Sequence, residues 1–566
     1  MSIRCGAKMQ NSVAPKKPHG RTLADFPNLT VAEKALVKNS ANGSPTIVRG
    51  RQTIRSSLIR FLALGGDESN PVFETGIEIV GARITGRLDL SGGKVQPRLI
   101  FKQCEFDDDI LLNDARTSAI ELHDSRARSI NARRTIIYGS LKIIEASKIS
   151  GQLDLENSQI KGNLELSSST FGNDSKDNRI SINICRVKCD GNIYLKHGFV
   201  CNGTIVARGA EIEGSLDASE CSFLAPNTGS MALHANGMVA KNGLFWKRVK
   251  AITGEVNFNG SSFSTLSDDL NSWIQFAETA RFSFNGFSYR RISSGSPTDS
   301  ISRLQWLMLP APERHDERFV PHPWEHLIRT LREMGHRRDA AEIAIRLQAE
   351  KRQLKLIGSR RAKSEFWLPW SKSCKYLYEI RCSIDKGWNK FYNHCERSLH
   401  WIYGVVAGYG YKPARIFVAL FIIWILCAII YQFAANNGVI APTDSDVFAH
   451  SLLHHDLQSR LDDAAKCGVV GEVDAPRYWP QCPNLPSEYT TFNQYIYSAD
   501  VILPLVDLQQ DSKWAPISTF VAVSGAVEPS ALGRLARALV WFEIISGWVL
   551  SLMLVAIITR LVNRDQ

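Results

Sequence analysis

The chain lacks the local frameworks on which nucleotide, redox and zinc-hydrolase chemistry is usually built. It has no Walker A loop, no strand–GxGxxG–helix unit, no CxxC pair and no HExxH glutamate. Phosphate cradling, dinucleotide binding, thiol exchange and zinc hydrolysis are therefore not expected from any motif. No enzymatic activity, no cofactor and no metal is read from the residues. The N-terminal stretch MSIRCGAKMQNSVAPKKPHG has no apolar core, so it is not expected to act as a secretory signal.

Two long apolar runs are present instead. Residues 416–434 read IFVALFIIWILCAIIYQFA, and residues 538–559 read ALVWFEIISGWVLSLMLVAIIT. Each has roughly the 20 residues a helix needs to cross a bilayer core. The first holds no charged side chain and the second only Glu543. The flanks are asymmetric. Residues 322–415 carry 19 Lys or Arg against 9 Asp or Glu, whereas 436–535 carry 5 against 12. Basic flanks stay on the cytoplasmic side, so both termini are expected in the cytoplasm and the loop outside. The formal charge of +11 is concentrated beside the membrane. That suits anionic headgroups rather than nucleic acid. Ten of the twelve cysteines then fall in reducing surroundings or in the first span, and only Cys467 and Cys482 fall in the external loop. A structural disulfide between those two is chemically sensible there.

Before the membrane the chain repeats itself. ARITGRLDL (82–90), SKISGQLDL (147–155), SQIKGNLEL (158–166), AEIEGSLDA (210–218) and KAITGEVNF (250–258) share an aliphatic residue, a glycine and an alternating apolar tail. Glycines 139, 151 and 162 are 12 and then 11 residues apart, as are 191, 203 and 214. A strand so short cannot bury its apolar face alone, but stacked coils can. Two units per coil predict turns of about 22 to 24 residues. Asp89 and Asp154, each between two leucines, are expected on the solvated outer face.

The expected fold is mainly β: a right-handed-type β-solenoid with a helical cap and a helical hairpin, followed by a two-helix transmembrane domain. The expected divisions are a disordered tail (1–25), the cap (26–75), the solenoid (76–300), the hairpin (320–360), an amphipathic juxtamembrane region (366–415), the first span (416–435), a periplasmic loop (436–535) and the second span (537–560). In the cap, 51–64 places Ile54, Leu58 and Leu62 on one helical face. In the hairpin, Gly335 ends the first helix, and the second carries Ile343, Leu347 and Leu354 inward. The aromatic and basic stretch 366–411 reads either as helices lying on the inner leaflet or as a packed helical collar.

With its GTIVARGAEIEGSLDA run, the repeat region resembles bacterial pentapeptide-like and bactofilin-like β-helices. With PWEHLIRTLREMGHRRDAAEIAIRLQAEKR, GYGYKPAR and ILPLVDLQQDSKWAP, the chain resembles bacterial membrane proteins of this layout. Some of these are labelled membrane-associated oxidoreductases, an activity that no residue of this chain supports. The resemblance implies a multi-pass protein of the bacterial inner membrane.

Few residues offer chemistry. GYG at 408–410 precedes the first span and runs into Lys412-Pro413. It therefore reads as a helix break and not as an ion filter, which lies between spans. His450, His454, His455 and Asp456 form a surface cluster without an evident further ligand. In 492–514, Tyr495, Ala499, Ile502 and Leu503 form an apolar stripe, with Asp500 and Asp507 on either side of Pro504. Asp500, Asp507 and Glu543 are candidate pore-lining residues, since ionisable groups at membrane depth are costly without water or partners. The alternatives are an interfacial helix resting on the outer leaflet, and for Glu543 snorkelling or a pairing with Arg537. Two functions are open: a cytoplasmic solenoid that binds or scaffolds an unknown protein ligand, or a channel-like effector whose two-span unit forms a homo-oligomeric pore gated by the solenoid.

Overall fold

The computed structural model describes residues 21–50, 52–172, 180–225, 229–309, 319–354, 375–444, 479, 485, 489–521 and 527–562. Residues 1–20 of the expected tail (1–25), the Cys467–Cys482 bridge and the histidine cluster at 450–456 lie outside the described residues, while Leu23–Asp25 at the end of that tail forms a 3-10 turn. The chain divides into two compact units, Met1–Leu347 and Gln348–Gln566.

The first unit is a parallel β-solenoid of about nine turns. Each regular coil carries four short strands joined by tight corners. One coil runs Arg116–Thr117, Ile120–His123, Arg126–Ala127 and Ile130–Asn131. The next runs Ile136–Ile137, Leu141–Ile144, Lys148–Ile149 and Leu153–Asp154. They pair in parallel through Arg116↔Ile136, Ile120↔Leu141, Arg126↔Lys148 and Ile130↔Leu153. Each repeat unit therefore supplies two sides of a coil. Inward side chains stack in register from coil to coil: Leu88, Ile110, Ile130, Leu153, Ile182, Ile205, Leu233 and Val256 form one column. None of these is more than 2% exposed, and burial of each contributes roughly 1.5–3 kcal/mol.

Two kinds of corner hold the coils at strand spacing. At one, Gly139, Gly162, Gly191 and Gly214 stack on each other. Each has ordinary negative φ, but a Cβ would come within 2.6–2.8 Å of a carbonyl oxygen in the preceding coil. Their amides donate to those same carbonyls. At another, Asp114, Arg134, Asn157 and Arg186 adopt left-handed φ of 53–59°. Each donates its amide to the following coil at 2.9–3.0 Å, which offsets strain of about 1 kcal/mol per residue.

Pairing begins earlier than residue 76. Thr46–Ile47 pairs with Ile79–Val80, and Thr53–Arg55 with Arg83–Thr85. Ile54 is thus a strand residue of the first coil and not part of a helix, a correction to the expected helical face. Helix α1 spans Val31–Asn42 and α2 spans Ser56–Ala63, with Leu58, Ile59, Phe61 and Leu62 buried. α1 opens with a capping box of Thr30 and Glu33.

The last coils turn aromatic. Phe171, Phe199, Phe223, Trp246 and Trp273 form a column, the two tryptophans stacked at 4.9 Å. Short α3 (Asn271–Ile274) carries Trp273, and α4 (Ser300–Leu307) lays Trp306 across the column. Arg303 of α4 makes a buried two-pronged pair with Asp268 at 2.8 and 2.9 Å. α5 (His322–Glu333) covers the final strand Ser288–Ile292, with Trp324, Leu327 and Leu331 buried and His326 hydrogen-bonded to the Tyr289 backbone. An otherwise open sheet edge is thereby blunted. Gly335 ends the helix with φ 88°, and the His336 amide reaches back to the Leu331 carbonyl, as the sequence predicts. α6 (Arg337–Gln353) buries Ile343 and Leu347, but Leu354 lies past its end and is exposed.

In the second unit, α7 (Lys375–Ala407) is one long helix. It ends at a 3-10 turn, Gly408–Gly410, where all three residues have positive φ. Pro413 then starts α8 (Ala414–Asn436), so the GYG segment is a helix break. α9 is Gln494–Ile502 and α10 is Ala531–Val562. Strand Ile440–Pro442, after α8, pairs antiparallel with Trp514–Pro516. α8 and α10 are long and apolar enough to cross a membrane. Only 22% of the most apolar window of each is buried, leaving Phe417, Phe421, Leu426, Trp541, Ile545 and Leu552 exposed.

Candidate functional site

The acidic residues singled out in the sequence fall in the second unit, around α9. This helix forms because Asn493 caps it, its side chain accepting from the amides of Tyr495 and Ile496. Pro504 follows its end and cannot continue it. α9 buries Tyr497, Ser498, Asp500, Val501 and Ile502 against α8 and α10. Of the apolar stripe, Ile502 is buried, whereas Tyr495 and Leu503 are exposed. Period-3.6 counting found an apolar side, but hydroxyl and carboxylate partners decide which side goes in.

Glu543 is fully buried in α10. It accepts from the Tyr431 hydroxyl of α8 at 2.7 Å and from the Ser498 hydroxyl of α9. Its partners are these hydroxyls, while Arg537 donates instead to the Pro516 carbonyl. One carboxyl thus ties three helices. Ser498 also lies within hydrogen-bond reach of the Trp424 carbonyl, and the Trp424 indole donates to the Tyr495 carbonyl at 2.8 Å. A Cβ on Gly547 would run into the Ile502 carbonyl, so that glycine makes the seat for the end of α9.

Asp500, 7% exposed, accepts from the amides of Leu508, Gln510 and Asp511 at 2.6, 2.8 and 3.0 Å. It fixes the chain after Pro504 as a return loop beside α9. Gln510 and Trp514 continue the return, bonding to the Thr491 and Thr490 carbonyls. Asp507 is exposed and accepts from the Gln509 amide. Oxygens of Asp500, Asp507 and Asp511 lie within 4.8 Å of one another. Of the three candidate pore residues, the structure brings Asp500 and Asp507 together and places Glu543 on the opposite, inward side of α9. Tyr431, Ser498, Trp424 and Gly547 were not found by sequence reasoning. A polar pair such as Tyr431 and Glu543 inside two apolar runs was the available signal.

In the solenoid, charged side chains run in ladders over the outer faces. Glu121, 5% exposed, lies among Arg98, His123 and Lys142. Burial pushes its carboxyl up, but hydrogen bonds from Arg98 and His123 override this and hold it low. Asp154, expected to be solvated, is 1% exposed. It points away from the core, yet Arg133 at 2.6 Å and Asn183 at 3.0 Å cover it from adjacent coils. Cys104 and Cys189 are buried, which pushes each thiol up to about 11. They remain protonated at neutral pH and act as core side chains.

No protein-family model and no curated protein sequence matches the chain.

Proposed function

We propose that this is a multi-pass integral membrane protein whose solenoid is a cytoplasmic binding or scaffolding module. α8 and α10 are its spans, α1 and α2 cap the first coil, and α7 meets anionic headgroups. The bacterial inner membrane, cytoplasmic termini, a right-handed coil, a protein ligand on the charged faces and the absence of catalysis belong to the same reading. The observation that carries it is the pairing of about nine stacked coils with two helices whose large apolar side chains face outward. Stacked repeats offer a long regular surface suited to recognition, and bare apolar helices suit lipid.

One observation favours a second reading, a channel-like oligomer of the two-span unit. α9 packs against both spans and presents its return loop beside them, an arrangement that suits the lining of a pore. Planar-bilayer recording on the purified full chain separates the two. Silent bilayers containing folded, inserted protein support the anchored scaffold. Discrete currents that change in Asp507→Asn support the pore. Asp507 is the residue to neutralise, because Glu543 ties the helices together and Asp500 fixes the return loop.

A further inference from the structure

We infer that the loop from Leu503 to Asp511 lines a water-filled cavity near half the depth of the membrane, walled by further copies of this chain. The inference rests on reading α8 and α10 as spans.

Depth follows from two layers of packing. Ala435 of α8 and Ala536 of α10 belong to one buried cluster, and Ile416 and Ile557 belong to another. The helices are therefore antiparallel. Nineteen residues separate the layers along α8 and twenty-one along α10, about 30 Å at 1.5 Å per residue. That matches the hydrocarbon thickness of a bilayer, about 30 Å. Trp424 lies eleven residues from Ala435, and Gly547 eleven residues from Ala536, each about 16 Å below the first layer. These residues receive α9: Trp424 bonds Tyr495 and Ser498, and Gly547 seats the Ile502 carbonyl. The chain then leaves helix at Leu503, and Asp500 turns it back.

The loop at this depth is non-helical from Leu503 to Asp511. Its surface exposes Asp507, Gln509 and Asp511 as well as Leu505, which is 89% exposed. Irregular backbone at membrane depth is tolerated only where protein buries it or water bathes it. A carboxylate facing hydrocarbon is costly by several kcal/mol. Among the described residues of one chain nothing covers this face, since Asp500 holds the loop from its α9 side. On this inference water solvates Asp507 and Asp511, and other copies exclude lipid from that water. Leu503, Leu505, Val506 and Leu508, all exposed, supply the apolar surface for contact between copies.

The test is thiol accessibility in the full chain, using Leu505→Cys, Asp507→Cys and, as outward-facing span controls, Phe421→Cys and Leu552→Cys. A membrane-impermeant methanethiosulfonate is applied to membrane vesicles of both orientations. Modification is read peptide by peptide, so the twelve native cysteines do not interfere. The inference expects reaction at 505 and 507 from one face only, at least about tenfold faster than at 421 and 552, because only a hydrated thiol ionises. It also expects a bis-maleimide to link Leu505→Cys chains to each other. Protected 505 and 507 with protected controls overturn the cavity and leave the spans standing. Reactive controls overturn the membrane reading itself. Reactive loop positions without cross-links overturn the wall of copies.

Discussion

At the scale of single residues, the same kind of ion pair has two values in this molecule. Arg303 and Asp268 are each 1% exposed, so Asp268→Ala strands a buried guanidinium and should cost about 3–5 kcal/mol. Arg134 and Asp114 are more than half exposed, and Asp114→Asn, which keeps a side chain suited to the left-handed backbone there, should leave stability nearly unchanged. Denaturant unfolding of the full chain, followed by tryptophan fluorescence, reads both. Glu33 gives a pH signature. Burial pushes its carboxyl up, but the Arg55 side chain and the Arg55 and Thr30 amides override this and hold it below the ordinary 4.5. A depressed carboxyl contributes stability that is fully present above about pH 4.5 and is lost as pH falls through the lower folded value. Glu33→Gln should therefore lower stability at pH 7 and flatten its decline below pH 4.5. An unchanged acid limb would show that Glu33 carries none of it. Asp154 marks what sequence could not say at this scale. Alternation correctly put it on the outer side, but the covering residues Arg133 and Asn183 come from other coils, 21 and 29 residues away.

At the scale of elements, the repeat was legible because its periodicity has one physical cause, a coil that must bury the same column each turn. Glycine spacing showed where corners fall but not why. The Gly162 and Gly191 corners exist for close approach of backbones, whereas the left-handed corners carry Asp114, Arg134, Asn157 and Arg186 in some coils and glycine in others, as at Gly209, so their glycine signal is broken. Gly191→Ala, with its Cβ 2.6 Å from the Gly162 carbonyl, should therefore destabilise the solenoid by about 1–3 kcal/mol. Gly209→Ala, at a left-handed corner where the nearest atom is an Arg186 side-chain carbon at 3.7 Å, should cost only about 1 kcal/mol of backbone strain. The seat of α9 escaped the sequence because it depends on contacts between residues more than forty apart. Glu543→Leu should release α9, while Glu543→Gln keeps one acceptor for Tyr431 and offers an NH2 to the Ser498 hydroxyl, which can turn its own proton to the Trp424 carbonyl. Hydrogen exchange over 494–502 should rise at least about tenfold in the first variant and little in the second. Equal exchange in both would mean that the carboxyl does not hold the helix.

At the scale of the whole molecule, charge asymmetry and the two apolar runs give an account that stands or falls on which side each part occupies. A membrane-impermeant amine reagent, applied to vesicles of each orientation and read by peptide mass spectrometry, tests it most directly. Lys161 and Lys241 are exposed on the solenoid, and Lys513 lies beyond the return loop, next to the strand Trp514–Pro516. The account predicts that Lys161 and Lys241 react only in inverted vesicles and Lys513 only in right-side-out ones. Reaction of all three from the same face, or recovery of the chain in the soluble fraction, would contradict it.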